Sequence, residues 1–199
     1  MVLAYPYRPD SLYLNVTNRC SNDCTFCVRR GGRYTLAGFD LRLAAEPSSQ
    51  AVLAAIAAQE EEHGDRFAEV VFCGFGEPTY RLDLIGEVGR TLRAGGQTVR
   101  LNTNGQAELI AGRDPWPTLD GALDVVSISL NAPDAESYVA LCQPRFGPQA
   151  YEALLRFATR ARDHVDEVTL TVVGFTLDEA AIQRCAQIAD SLGLGFRIR

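Results

Sequence analysis

Strand-like and helix-like stretches alternate six times between Ser11 and Arg199, and nothing else in the sequence restricts the fold as much. Ser11 to Thr17 places Leu12, Leu14 and Val16 at every second position, as a half-buried strand does. Further short strands are expected at Glu69 to Cys73, Thr98 to Thr103, Asp124 to Leu130, Glu167 to Val173 and Gly195 to Arg199. A helix is expected from Pro47-Ser48-Ser49 to about His63, with Ser48 or Ser49 as its N-cap. Others follow at Arg81 to Ala94, stopped by Gly95-Gly96, and at Gln106 to Ala111, Pro133 to Leu141, Gln149 to His164 and Asp178 to Leu192. The repeat is about 31 residues long, close to the ~30 of one βα step. Such alternation implies a parallel sheet with right-handed crossovers. Six units are too few for the eight-fold closed barrel. The expected fold is therefore α/β, an open partial (βα)6 barrel rather than a flat doubly wound sheet. No linker or low-complexity tract breaks the pattern, so residues 1–199 are read as one domain.

The chain has 19 basic and 25 acidic residues, a formal net charge of −6, which makes non-specific nucleic-acid binding a poor reading. Hydrophobic residues form 47% and charged residues 22%, the balance of a globular protein. No apolar run approaches the ~20 residues of a membrane span. Met1 to Asp10 has no apolar leader core, so a cytoplasmic protein is expected.

Parallel α/β folds collect their working residues at the C-terminal ends of strands. Here that rim holds Thr17-Asn18-Arg19-Cys20, Cys73-Gly74-Phe75-Gly76-Glu77-Pro78, Asn102-Thr103-Asn104-Gly105, Ser127, Ser129, Asn131 and Arg197. Its strongest signal is the C-x3-C-x2-C array Cys20, Cys24 and Cys27. Three thiolates on a tight loop can hold three irons of a [4Fe–4S] cube and leave the fourth iron open. Zinc is the rival reading, but it needs a second Cys or His pair. His63 and His164 stand alone in helical patterns and do not supply one. Three unliganded core cysteines are the other alternative.

The array, with Phe26 just before the third cysteine, resembles the CxxxCxΦC signature of the radical S-adenosylmethionine (SAM) enzymes. GFGEP at 74–78 resembles their GGE motif, and the six βα units resemble their partial barrel. LYLNVTNRCSNDCTFCVRR, LNTNG and the closing FRIR are similar to the small radical SAM proteins associated with TatD. By that resemblance Cys20, Cys24 and Cys27 ligate the cluster, and the amine and carboxylate of SAM chelate its fourth iron. Phe26 lies beside the adenine. Glu77 and the backbone of Gly76 accept from the methionyl ammonium, though Phe75 replaces the first glycine of the motif. Asn102, Asn104, Ser129 and Asn131 contact the methionyl carboxylate or the ribose; turn chemistry is the plainer account of these four.

The implied function is reductive cleavage of SAM at a [4Fe–4S] cluster and hydrogen abstraction from a small, anionic substrate. The electron donor would be a flavodoxin or a ferredoxin. One alternative is an activating enzyme that makes a radical on a protein partner. The other is an iron–sulfur redox or sensor protein without turnover. Cys142, in a loop after the fourth strand, is a candidate redox or hydrogen-donor thiol, whereas Cys73 and Cys185 read as core. Arg29, Arg30, Arg33, Arg145 and Arg197 could clamp an anion, with Arg197 the best placed. The segments Arg29 to Pro47 and Leu141 to Pro148 are expected to fold over the barrel mouth.

Overall fold

A computed structural model describes residues 3–199. Its main sheet has seven strands in the order β1 (Ala4–Arg8), β2 (Ser11–Leu14), β5 (Glu69–Phe72), β6 (Thr98–Thr103), β7 (Val125–Ser129), β8 (Glu167–Val172) and β9 (Gly195–Ile198). The last six pair in parallel, each with its successor in sequence. This is the α/β, mostly parallel sheet expected of the open (βα)6 barrel. Two very short strands, β3 (Thr35–Leu36) and β4 (Phe39–Asp40), form a separate hairpin.

Strand β1 was not expected. It runs antiparallel to β2, with Tyr5 opposite Tyr13 and a register shift before Arg8. Pro6 hides it from a propensity argument, yet an edge strand tolerates proline because one side of its ladder is unpaired. The crossovers carry α1 (Ser49–His63), α2 (Leu82–Ala94), α3 (Ala107–Ala111), α4 (Trp116–Leu119), α5 (Ala135–Cys142), α6 (Gln149–Ala161) and α7 (Glu179–Ser191). Ser48 caps α1 by accepting from the Ala51 amide at 3.2 Å, and Gly64 closes it with φ 83°. Helix α5 begins two residues later than expected because Asp134 is its cap, accepting from the Ser137 amide at 2.8 Å. Helix α4 carries Trp116, which is buried and stacks on Phe157 at 4.9 Å.

The two faces of the sheet differ in chemistry. Leu12, Leu14, Val70, Phe72, Val99, Leu101, Val126, Ile128, Leu170 and Val172 are buried in the main core with the helices. The opposite face is apolar at Tyr13 and Val71 and polar from β6 onward. Asn102 aligns with Ser127 and Thr169, and Ser129 aligns with Thr171 and Arg197. A parallel sheet buried on both faces reads as continuous apolar runs. The Val-Arg-Leu-Asn alternation at 99–102 therefore marks a face kept for something other than packing. No described helix is long and apolar enough to cross a membrane.

Candidate functional site

The cysteine loop follows β2 and is held from three sides. Its own turn closes through the Cys27 amide, which donates to the Cys24 carbonyl at 3.0 Å. The end of α5 straps it from outside: the Thr25 amide donates to Leu141 O at 2.9 Å and the Arg145 amide to Ser21 O at 2.8 Å. From the end of β6, Asn104 Nδ2 donates to Ser21 Oγ at 2.8 Å and Gln106 Nε2 to Asn22 Oδ1 at 2.7 Å. Tyr138 completes this buried group, its hydroxyl accepting from Asn22 Nδ2 at 3.0 Å and from Gln106 Nε2 at 2.9 Å. Within this group Gln106 Oε1 is buried without a hydrogen-bond partner, so the network braces the loop through its other members. Sequence reasoning missed Asn22, Gln106 and Tyr138. They lie up to 116 residues apart in the chain, and no local pattern links them.

The loop after β5 packs flush against the same segment. A Cβ on Gly76 would lie 2.2 Å from Thr17 O and 2.7 Å from Arg19 O, so only glycine fits there. The Glu77 amide then donates to Arg19 O at 2.7 Å. The Glu77 carboxylate is buried and accepts four hydrogen bonds, all from neutral donors. Oε1 takes Thr79 N at 3.1 Å, Thr79 Oγ1 at 2.8 Å and Thr103 Oγ1 at 2.7 Å; Oε2 takes Asn104 N at 2.7 Å. Burial raises the Glu77 pKa above the usual carboxylate range against the pull of those donors. The carboxylate thus joins the ends of β5 and β6 and keeps acceptor capacity at Oε2. Phe75, where the motif has glycine, turns away from the site and packs edge-on against Tyr34 at 6.1 Å.

Between these loops lies a cavity of about 360 Å³. It brings together every sequence-selected cofactor candidate: Cys20, Cys24, Cys27 and Phe26 on one wall, Gly76 and Glu77 on the next, then Asn102, Asn104, Ser129 and Asn131. Burial pushes the Cys20 thiol up to about 12, with the Glu77 charge adding to the shift. Cys24 is raised by a hydrogen bond with Cys142 and by burial. Among the described residues no three Cys, His, Asp or Glu side chains converge on a point suited to a single ion. Asn104 is committed to the fold, since its Oδ1 accepts from Gln106 N at 3.0 Å while Nδ2 holds Ser21. Asn131 has φ 55°, a left-handed conformation that asparagine tolerates better than most residues. The Oδ1 atoms of Asn102 and Asn131 are buried without hydrogen-bond partners, two open acceptors in the cavity wall.

Other expected placements change. Cys142 is not at the rim: it is fully buried in the main core behind Cys24, and its sulfur accepts from Asn131 Nδ2 at 3.8 Å. Cys73 packs against the smaller apolar cluster, as expected, and also stands half-buried in the cavity wall, hydrogen-bonded to the Asn102 side chain. Cys185 is buried in the core as expected. Neither expected lid covers the mouth. The β3–β4 hairpin packs its apolar side chains with Tyr5, Tyr13, Leu41 and Val71, and the segment after α5 straps the cysteine loop. Arg33 and Arg145 are exposed, the latter lying over the Phe146 ring at 5.2 Å. Arg29 donates to Asn18 O at 2.8 Å and Arg30 to Cys24 O at 2.9 Å, both bracing the loop. Arg197 faces the barrel interior, in a second cavity next to the first.

The family model of the radical SAM superfamily matches residues 14–187, which includes the cysteine array and the strands that build this cavity. No curated protein matches the chain. Among solved structures, it is similar to TYW1 with a lysine-pyruvate adduct bound, at 14% identity and TM-score 0.64, covering 96% of this chain and 65% of that one. It is also similar to a radical SAM methyltransferase from Sphaerobacter thermophilus, at 20% identity and TM-score 0.65, covering 96% and 56%. Streptococcus suis SuiB bound to precursor peptide SuiA matches at 15% identity and TM-score 0.65, covering 96% and 39%. The chain thus spans between 39% and 65% of these three chains, and at such identities the likeness is one of fold. With the family model spanning most of its length and the motif residues gathered around one cavity, the chain belongs to the radical SAM superfamily.

Proposed function

We propose that this protein is a radical SAM enzyme that cleaves SAM at a [4Fe–4S] cluster held by Cys20, Cys24 and Cys27 and takes hydrogen from a small molecule. The observation that carries this reading is the shared cavity. Three thiols line it together with a buried carboxylate and two unpartnered amide oxygens, across about 360 Å³. Three thiols on one loop suit three irons of a cube, whereas a structural zinc site needs a fourth protein ligand, and among the described residues no histidine lines this cavity. When bound, the cluster and SAM supply an electron-driven cleavage and a carbon radical that abstracts hydrogen.

This chain's residues bind and orient. Glu77 offers a desolvated anion to the methionyl ammonium, and a cation there offsets the burial that now raises its pKa. The Oδ1 atoms of Asn102 and Asn131 accept from ribose hydroxyls or the ammonium. Phe26, half-buried beside the third cysteine, supplies an apolar face for the adenine. The strapped loop keeps the cysteines in register with the Glu77 wall, since small misplacements of reacting groups are costly. The plain redox or sensor alternative has no use for this set of ammonium and hydroxyl acceptors. Electron delivery falls to a flavodoxin- or ferredoxin-like donor in this reading.

Electron paramagnetic resonance of the anaerobically reconstituted, dithionite-reduced protein tests the assignment. A single reduced cluster signal is expected, and adding SAM should shift its g values because a ligand joins the open iron. A signal indifferent to saturating SAM would move the chain to the redox-carrier class.

A further inference from the structure

The interior of the barrel holds a second cavity of about 370 Å³, bounded by both edges of the open sheet. Arg8 of β1 lines one side, Arg197 of β9 and the adjoining Arg199 the other, and Arg100 of β6 lies between them. Four guanidinium groups therefore face one space in a protein whose net charge is −6, and no aspartate or glutamate is among the described residues that line it. Arg100 is the one that is paired, with Glu69 Oε1 at 2.7 Å, and even so its Nε is buried without a hydrogen-bond partner. Among the described residues Arg8, Arg197 and Arg199 make no ion pair.

The heads of Arg197 and Arg199 are aimed by the neighbouring strand. Each donates through Nη2 to a β7 serine, Arg197 to Ser127 Oγ and Arg199 to Ser129 Oγ, both at 3.0 Å. Residues two apart on a strand share a face. The pair thus presents two forks side by side, and like charges at that spacing repel. Although Arg8, Arg197 and Arg199 are exposed as whole residues, desolvation of the Arg199 head and the Arg197 charge both lower the Arg199 pKa. An anion between the forks removes the repulsion and satisfies their free N–H groups in the bidentate geometry that guanidinium gives to carboxylate and phosphate.

The wall between the two cavities is thin. Cys73, Asn102 and Arg199 line both, so a ligand in the interior is next to whatever occupies the cysteine-lined cavity. We propose that the interior cavity is the substrate site and that it takes a small molecule carrying a carboxylate or phosphate group, held by Arg197 and Arg199 with Arg100 and Arg8. This proposal rests on the reading of the neighbouring cavity as the SAM site. A volume near 370 Å³ lies within the range of small-molecule pockets.

The test uses the anaerobically reconstituted protein at low ionic strength, titrated calorimetrically with pyrophosphate and, separately, with citrate. Saturable one-to-one binding of at least one of them is expected, and which is tighter assigns phosphate or carboxylate. Arg197→Gln should weaken that binding tenfold or more, Arg197→Lys should recover part of it, and Arg33→Gln and Arg145→Gln should leave it unchanged. If Arg197→Gln does not fold, Arg8→Gln on the opposite edge strand is read in the same way. SAM binding is measured on the same samples. Anion binding that survives while SAM fails to bind overturns the SAM reading and leaves the anion site standing. SAM binding with no saturable anion binding, or equal weakening by Arg33→Gln and Arg197→Gln, overturns the anion site alone.

Discussion

Replacing Cys20, Cys24 or Cys27 singly by Ala is expected to leave the reconstituted protein without a stable cluster and to abolish SAM cleavage. Each thiol faces the same cavity and no other cysteine lines it except Cys73, which follows the neighbouring strand β5 and not the cysteine loop. Cys73→Ser and Cys185→Ser should keep a full complement of four irons. Cys142→Ser should keep it too, but with a faster loss of cluster, because the Cys142 sulfur packs against Cys24 and Asn131. Iron and sulfide analysis with the visible absorption spectrum checks all six. Eight irons per chain, or a cluster that survives loss of one of the first three cysteines, would contradict the assignment.

Glu77→Ala should have the largest effect of any single change outside the cysteines, and on two separate readouts. It strips partners from Thr79, Thr103 and the Asn104 amide, all buried. An unsatisfied buried donor costs about 1–3 kcal/mol, so a loss of stability of several kcal/mol is expected in the protein without SAM. Losing the charged acceptor should also weaken SAM binding by ~1.5–3 kcal/mol, the range for a hydrogen bond to a charged group. Thermal unfolding without SAM and equilibrium binding on the folded fraction separate the two effects. A normal melting temperature with lost SAM affinity would make Glu77 a pure ligand contact and remove its structural role.

The fold was legible because its signals are local. The strands at Glu69–Phe72, Thr98–Thr103 and Val125–Ser129 stand within a residue or two of where apolar runs and turn residues place them. Helix starts follow side-chain caps, as Asp178 shows by accepting from the Ala181 amide at 2.7 Å. Elements that failed this reading depend on distant partners. Strand β1 carries Pro6 and exists because Tyr5 finds Tyr13 and donates its hydroxyl to Cys73 O at 2.9 Å. The Arg29 to Pro47 segment looks like a free loop, yet Tyr34 meets Phe75 and Asn15 Nδ2 donates to Leu41 O at 2.6 Å, which ties it to the sheet.

The site divides along the same line. Spacing alone exposes the cysteines and GFGEP, because a tight loop and a close backbone contact are written in adjacent residues. The Asn22, Gln106 and Tyr138 group and the positions of Cys142 and Cys73 are tertiary facts. The arginine-lined interior is legible in part, through Arg197, while Arg8, Arg100 and Arg199 join it only in the folded sheet. Once the strands are taken as parallel, Arg100 and Asn102 on β6, and Arg197 with Arg199 at β9, fall on the face opposite Val99 and Leu101. Polar or charged residues at every second position of parallel strands are an argument for a polar cavity.

One measurement bears most directly on the claim that this cavity cleaves SAM. The anaerobically reconstituted protein is reduced with dithionite, given SAM, and the nucleoside products are separated and weighed by mass spectrometry. The account predicts slow formation of 5′-deoxyadenosine with an equal amount of methionine, absent from Cys24→Ala. Fully clustered, reduced protein that binds SAM and forms no 5′-deoxyadenosine, or that forms methylthioadenosine in its place, would contradict it.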